Sequence, residues 1–268
     1  MPKRLQLLCI YLGGFLGPFL GQSLVAILPD VAASFDITVQ AAAFGITAFL
    51  LPFSITMLFS SRLVHGRRLD RIVLLAYVVM ATGAIVLAVS DSWPTFVIVY
   101  AAMGIANAFT LPLLQTILKS VTPPDELATA ISTYAAMQSL GLLSAPLVSG
   151  VLADVTNWQY VYFLVAAVLL VILIIRLPQA HPRGGAPAEA GQTPFVALAV
   201  YCLCCFAIGF GVIGVGTLVA LRANTQMGLS ATGAGLVVAC GGTAAFLFVR
   251  FVGRFADHHG VKRCSSTR

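Results

Sequence analysis

The chain has 268 residues, of which 59% are hydrophobic and only 9% are charged, whereas charged residues make up about 25% of an ordinary soluble domain. This composition excludes a water-soluble globular core. The formal net charge of +6 is spread over short loops, which argues against a nucleic-acid-binding face. We therefore expect the chain to lie in a lipid bilayer and to have no nucleic-acid partner.

Eight hydrophobic segments follow one another along the chain, with lengths suited to crossing a hydrocarbon layer of about 30 Å. Their predicted bounds are 5–29, 40–61, 72–90, 95–118, 127–152, 158–176, 195–221 and 230–252. They predict an all-α, polytopic membrane protein. A stretch rich in Pro, Gly and Ala, residues 178–194, favours a flexible linker. We therefore predict a six-helix bundle over 1–177, a linker over 178–194 and the start of a second bundle over 195–268.

The distribution of positive charge predicts the orientation in the membrane. With eight crossings, both termini lie on one side, and of the fifteen Lys and Arg residues only Arg222 falls on the other. By the positive-inside rule, both termini and the linker are predicted to be cytoplasmic. Cys202, Cys204 and Cys205 lie within segment 7 and Cys240 lies within segment 8, so we expect the cysteines to be small packing residues, with no metal site and no bound cofactor.

Polar side chains are rare inside the hydrophobic segments. Segment 1 carries Gln22 behind a row of glycines four residues apart, and a buried amide is costly without a partner. With four residues of segments 4 and 5 it forms a predicted, weakly polar substrate cavity: Gln22, Asn107, Gln115, Tyr134 and Gln138. Each of them could alternatively serve packing alone. No Asp, Glu, Lys or Arg occurs mid-membrane, and no motif typical of an enzyme is present.

Segment 5 contains GLLSAPLVSG, residues 141–150. Its small residues recur every fourth position and allow tight helix contact, while the proline removes a helix hydrogen bond. We predict a hinge formed by Gly141, Ala145, Pro146, Ser149 and Gly150. Ordinary small-residue packing is the alternative interpretation.

Two charged runs follow segments 2 and 8, SSRLVHGRRLDR (60–71) and VGRFADHHGVKR (252–263). The spacing between them equals six helices, and parallel six-helix repeats are typical of one transporter architecture. Such runs could form a cytoplasmic latch between conformations, or they could only set the topology.

At these runs the chain resembles the major facilitator superfamily, whose signature G-x-x-x-D-R-x-G-R-R lies between helices 2 and 3, with a copy between helices 8 and 9. The second run matches this signature at Gly253, Asp257, Gly260, Lys262 and Arg263, and the first retains Arg62, Leu63 and Arg71. The family pattern G-x-x-x-G-P-x-x-G-G in helix 5, associated with antiporter-type exporters, is matched by Gly141, Pro146 and Gly150.

The resemblance implies a non-enzymatic, secondary active exporter of the inner membrane, similar to drug/proton antiporters, that moves small amphipathic or drug-like molecules by alternating access. A proton is a candidate coupling ion, although Tyr100 stands where these antiporters often carry an arginine. The resemblance also implies twelve helices, so we expect a chain cut after the eighth helix. Segments 7 and 8 would then form a hairpin appended to the six-helix bundle. Uptake of a small metabolite and a truncated, non-transporting membrane protein are the alternatives.

Overall fold

A computed structural model describes residues 3–64 and 66–178 and, in the C-terminal part, residues 200, 203, 204, 207, 209–241 and 243. The regular structure of these residues is helical, which confirms the predicted all-α class. The elements in chain order are α1 (Lys3–Ser23), α2 (Leu28–Ser34), α3 (Val39–Leu63), α4 (Leu69–Ala88), α5 (Trp93–Val121), α6 (Leu127–Val155), α7 (Gln159–Ile175), a π-helical turn (Phe210–Val215), α8 (Gly216–Thr225) and α9 (Ala231–Gly241).

Five of these helices, α1, α3, α4, α5 and α6, are long and apolar enough to cross a membrane. Helices α7 and α9 are apolar but shorter. The chain is therefore a multi-pass membrane protein. Because successive long helices alternate in direction, we call the side that carries the start of α1 the proximal face, and the opposite side, with α2, the distal face.

The first hydrophobic segment is predicted to run to residue 29, but helix α1 ends at Ser23. The Ser23 hydroxyl donates to the carbonyl of Leu20 at 3.0 Å, and the following backbone amides close tight turns. Pro29 then stands in the first turn of α2. Residues there donate no hydrogen bond within the helix, so the lack of an N–H in proline costs nothing. One predicted segment is thus a membrane helix followed by a short helix on the distal face.

Helices α1 and α3 to α7 pack together in one bundle. Helix α1 lies against α5, α6 and α7, helix α3 lies against α5, and α4 contacts both α5 and α7. Two glycines mark the closest backbone approaches, because a side chain at Gly104 would collide with the Phe49 carbonyl and one at Gly141 with the Phe15 carbonyl. Small residues at such crossings allow the van der Waals contact that holds helices together in lipid.

An aromatic cluster joins several elements at the distal face. It consists of Phe35, Trp93, Phe96, Trp158 and Tyr162, whose neighbouring ring centroids lie 5.4–6.1 Å apart. The indole N–H of Trp158 donates to the Ser34 hydroxyl at 2.7 Å. The cluster therefore ties the loop after α2 to the starts of α5 and α7, with ring contacts that each add about 0.5–1.5 kcal/mol.

Candidate substrate cavity

The candidate site is built around Gln22, which the last turn of α1 places at the boundary between the bundle and residues 209–241. A cavity of about 400 Å³ opens there. Its walls come from α1, α6, the π-helical turn, α8 and α9, and consist of Gln22, Leu142, Leu143, Gly211, Val215, Gly216, Val219, Val237, Val238 and Gly241. Among these described wall residues Gln22 alone has a polar side chain, and a largely apolar cavity of this size is typical of small-molecule sites.

A second cavity, of about 170 Å³, lies within the bundle and shares Gln22 and Leu142 with the first. Its other walls come from α1, α3, α5 and consist of Gly17, Pro18, Gly21, Phe49, Leu50, Phe53, Asn107 and Leu111. Gln22 is buried, and among the described residues its side-chain amide has no hydrogen-bond partner. Because Gln22 borders both cavities, a ligand in either one is within reach of this amide and would supply the missing partner.

Asn107 and Tyr134 already make hydrogen bonds that join helices. The Asn107 amide donates to the Gly17 carbonyl at 3.3 Å, and its oxygen accepts from the Thr110 hydroxyl at 2.8 Å. The Tyr134 hydroxyl donates to the Leu111 carbonyl at 3.0 Å. These bonds tie α5 to α1 and to α6, and of the two residues only Asn107 lines one of the two cavities.

Gln115 and Gln138 are both partly buried, and neither lines either of these two cavities. Of the five predicted cavity residues, the structure thus brings Gln22 and Asn107 together. The assignment of substrate contacts to any of them stays a prediction.

The predicted hinge residues of α6 contact helices on two sides. Gly141 faces the backbone of α1 at Phe15, whereas Gly150 lies against the Ala231 carbonyl at the start of α9. The carbonyl of Pro146 occupies the space where a side chain at Gly235 would stand. Ala145 and Ser149 are both fully buried. The small residues therefore let α6 touch the bundle and α9 closely, while their action as a hinge remains a prediction.

Asp154 makes the polar contact between the bundle and α9. Its carboxylate accepts the backbone N–H of Ala231 at 3.2 Å and of Thr232 at 2.8 Å, across the distal face. A carboxylate on the first amides of a helix satisfies donors that have no partner within the helix and lies favourably in the helix dipole. Helices α6 and α9 are thus joined by backbone contact along their length and by charge-assisted hydrogen bonds at the distal end.

The described walls of the two cavities carry no charged side chain. None of the wall residues named above is Asp, Glu, Lys, Arg or His. Tyr100, at the position where the family resemblance suggested an arginine, is buried, and its hydroxyl donates to the Leu20 carbonyl at 2.6 Å. Tyr100 therefore braces α5 against α1.

The predicted cytoplasmic motif falls largely outside the described residues. Its second copy, Gly253, Asp257, Gly260, Lys262 and Arg263, lies there entirely, as does the linker beyond residue 178, and the side chain of Arg62 is also not described. Arg71 is exposed in the first turn of α4, on the proximal face. The latch role of this motif stays a prediction.

Sequence reasoning missed two parts of the site. The apolar walls from α6 and α9, such as Leu143 and Val237, look in the sequence like residues that face lipid. Asp154 is visible in the sequence only as an acidic residue near a loop. The start of α9 could have been recognised in the sequence from Ser230, because serine is a preferred N-cap residue. In the structure the Ser230 hydroxyl accepts the Gly233 N–H at 3.3 Å, as an N-cap serine does.

Two curated relatives match about three fifths of this chain. The riboflavin transporter RibZ of Clostridioides difficile (strain 630) is 23% identical over 162 residues, which is 60% of this chain and 36% of RibZ. The putative uncharacterized transporter YgaY of Escherichia coli (strain K12) is 25% identical over 157 residues, 59% of this chain and 39% of YgaY. The matched part of the chain thus spans less than half the length of these relatives.

Two solved transporters share the fold. A bacterial homologue of the human lysosomal transporter Spinster, in an inward-facing and occupied conformation, superposes with a TM-score of 0.71 at 17% identity, covering 97% of this chain and 62% of that one. A D-xylose-proton symporter superposes with a TM-score of 0.66 at 14% identity, covering 94% of this chain and 68% of that one. The family model of the Major Facilitator Superfamily matches residues 10–265. With a match over nearly the whole chain and the helical fold of known members, the chain belongs to the major facilitator superfamily.

Proposed function

We propose that the chain belongs to a secondary active transporter that exports small, neutral, amphipathic or drug-like molecules, and that binding occurs beside Gln22. The observation that carries the proposal is that Gln22, a buried residue whose side-chain amide has no hydrogen-bond partner among the described residues, stands in the wall of a cavity of about 400 Å³ whose other described wall residues are apolar. Apolar walls would hold the body of such a molecule, and the amide would orient one polar group.

The charge of the cavity favours a neutral ligand. Desolvating a cation is costly unless an opposite charge replaces the lost water, and none of the described residues that line the two cavities beside Gln22 is a carboxylate. A permanently cationic compound should therefore bind more weakly than a neutral one of similar size.

Export by alternating access is supported by α6. This helix carries the residues that resemble the exporter pattern, and it contacts α1 through Gly141 and α9 through Gly150. A helix that packs closely on both sides of a cavity is well placed to change the access to it. We propose that the bundle over 1–177 and the part that begins at 195 move relative to each other about this contact.

Proton coupling would require a titratable group outside the two cavities. Asp30 and Asp36 at the distal face are the nearest candidates in the sequence. Burial, followed by the charge of Asp154, raises the pKa of Asp30. A carboxyl whose pKa lies above its ordinary value exchanges protons nearer to neutral pH, as a coupling group must.

The binding proposal can be tested with radiolabelled chloramphenicol as a neutral probe and ethidium as a cationic one. Purified chain should bind chloramphenicol in preference to ethidium. Replacing Gln22 with Leu should weaken chloramphenicol binding by about 2- to 10-fold, the range expected for one hydrogen bond. The matched control is Gln226→Leu, which removes the same amide from an exposed position after α8 that lines neither cavity and should leave binding unchanged. Equal binding by both variants would contradict the assignment.

The direction of transport is tested by chloramphenicol accumulation in cells that express the chain. Lower accumulation than in cells with an empty vector supports export, and higher accumulation supports an uptake carrier. Unchanged accumulation together with normal binding would indicate a chain that binds without transporting.

We also propose that both termini and the linker lie in the cytoplasm of a plasma or inner membrane. A cysteine placed at Asp154, on the distal face, should then react with an impermeant maleimide added to intact cells. One placed at Ala186 should not react. The reverse labelling pattern, corrected for the native cysteines, would overturn this orientation.

A further inference from the structure

A polar cavity lies at the proximal face, away from the candidate substrate site. It has a volume of about 430 Å³ and opens between the start of α4 and the end of α7. Its polar wall consists of three arginines and one aspartate: Arg68, Arg71, Arg176 and Asp70. Its apolar wall consists of Leu74, Leu173 and Leu177. We call it the α4–α7 pocket.

The α4–α7 pocket has an excess of positive charge. The Arg68 guanidinium donates two hydrogen bonds to the buried Asp70 carboxylate, from Nη2 to Oδ2 at 2.9 Å and from Nε to Oδ1 at 3.4 Å. The opposite charges of Arg68 and Asp70 therefore cancel. In the described part of the chain, neither Arg71 nor Arg176 has an anionic partner. Two guanidinium charges thus remain available to a ligand in one concave site.

The position of Arg176 is set by the end of α7. The helix ends at Ile175, and the Arg176 N–H still donates to the Ile172 carbonyl at 2.9 Å. Arg176 itself has a φ of +63°, so the chain leaves the helix axis there. The turn leaves Arg176 exposed and buries Leu177 against the bundle. A cationic and an apolar wall residue therefore stand next to each other at the mouth of the pocket.

We infer that the α4–α7 pocket binds the phosphate headgroup of an anionic phospholipid. Guanidinium groups match phosphate oxygens in geometry and charge, and basic pockets between membrane helices on the cytoplasmic side are typical headgroup sites. A soluble phosphate shares the headgroup chemistry. The lipid is favoured because three leucines line the same pocket and because the pocket lies where the apolar helix α4 begins and the apolar helix α7 ends. The inference does not depend on the proposed substrate or on transport.

The test is native mass spectrometry of the purified 268-residue chain in a neutral detergent, titrated with phosphatidylglycerol or phosphatidylcholine. We expect phosphatidylglycerol to bind more tightly. Each basic side chain near a phosphate contributes roughly a 5-fold gain in affinity, so the double variant Arg71→Gln, Arg176→Gln should bind phosphatidylglycerol about 25-fold more weakly. The control Lys119→Gln removes a cation from the same face outside the pocket and should stay within about 2-fold of the unchanged chain.

Two further arms make the outcome decisive. The double variant Arg71→Lys, Arg176→Lys keeps both charges and should retain most of the binding, which separates loss of charge from loss of fold. Inorganic phosphate at the same concentration should displace little phosphatidylglycerol. Equal binding of the two lipids, equal losses in the Gln and Lys double variants, or full displacement by inorganic phosphate would each overturn the lipid assignment.

Discussion

Removing the Asp154 carboxylate should loosen the start of α9. The carboxylate accepts the backbone N–H groups of Ala231 at 3.2 Å and Thr232 at 2.8 Å, and the shorter bond has the length of a charge-assisted one. Asp154 is exposed, so solvent screens its charge. We therefore expect Asp154→Ala to lose only the stability of a helix cap, about 1–2 kcal/mol. Asp154→Asn keeps an acceptor and should lose only the contribution of the charge, about 0.3–1 kcal/mol.

Hydrogen–deuterium exchange can measure this effect at the amides involved. A loss of 1–2 kcal/mol corresponds to a roughly 5- to 30-fold faster exchange in a peptide covering the first turn of α9. Asp91→Ala is the matched control, because Asp91 is an exposed distal aspartate without a side-chain hydrogen bond among the described residues. Unchanged protection at Ala231 and Thr232 in Asp154→Ala would refute the proposed cap.

Three further predictions concern helix packing and pH. Ala145→Leu adds volume at a fully buried position of α6 and should cost about 1–3 kcal/mol, seen as a lower unfolding temperature in detergent; an unchanged temperature would argue against the close contact. Gly104→Ala should lower the free energy of unfolding by about 1–3 kcal/mol because the Phe49 carbonyl cannot move aside. A methyl group at Gly21 makes only an ordinary contact, so Gly21→Ala should leave the free energy of unfolding unchanged or raise it by up to about 1 kcal/mol. Effects of the same sign in the two variants would contradict this difference. Burial and the Asp154 charge raise the pKa of Asp30, so the stability that this carboxyl contributes is present below the ordinary carboxyl pKa and is lost as the pH rises through the raised value. Asp30→Asn should therefore be more stable than the unchanged chain at neutral pH but not in acid. A stability difference that stays constant across the pH titration would show that Asp30 is not responsible.

The helices were predictable because hydrophobic length is a strong signal. A membrane-crossing helix must present an apolar surface for about 20 residues, so the segments that became α3 to α7 are visible in the sequence within a few residues. The break at Ser23 was not predictable in this way. It depends on a serine that bonds back to Leu20 and on tight turns among apolar residues, and hydropathy does not distinguish these from helix.

The candidate site was predictable only in part, for a similar reason. Gln22 stands out in the sequence because an amide among apolar residues has few possible hydrogen-bond partners. Its neighbours Leu142 and Val237 do not stand out, since a leucine or valine that lines a cavity looks the same as one that faces lipid. Asn107 and Tyr134 were visible as polar residues, but only the three-dimensional packing shows that backbone carbonyls already occupy their donors.

The aromatic cluster at the distal face contains both tryptophans of the chain, Trp93 and Trp158, and each packs against Phe35. The intrinsic fluorescence of this protein is therefore a local signal. It reports the environment of one patch that joins α2, α5 and α7, and neither indole borders Gln22. Spectral shifts would accompany separation of these elements, whereas filling the cavity with a ligand would leave the emission nearly unchanged. Ligand occupancy must therefore be measured with an added fluorophore, and the tryptophan emission can then report independently whether the aromatic cluster stays packed.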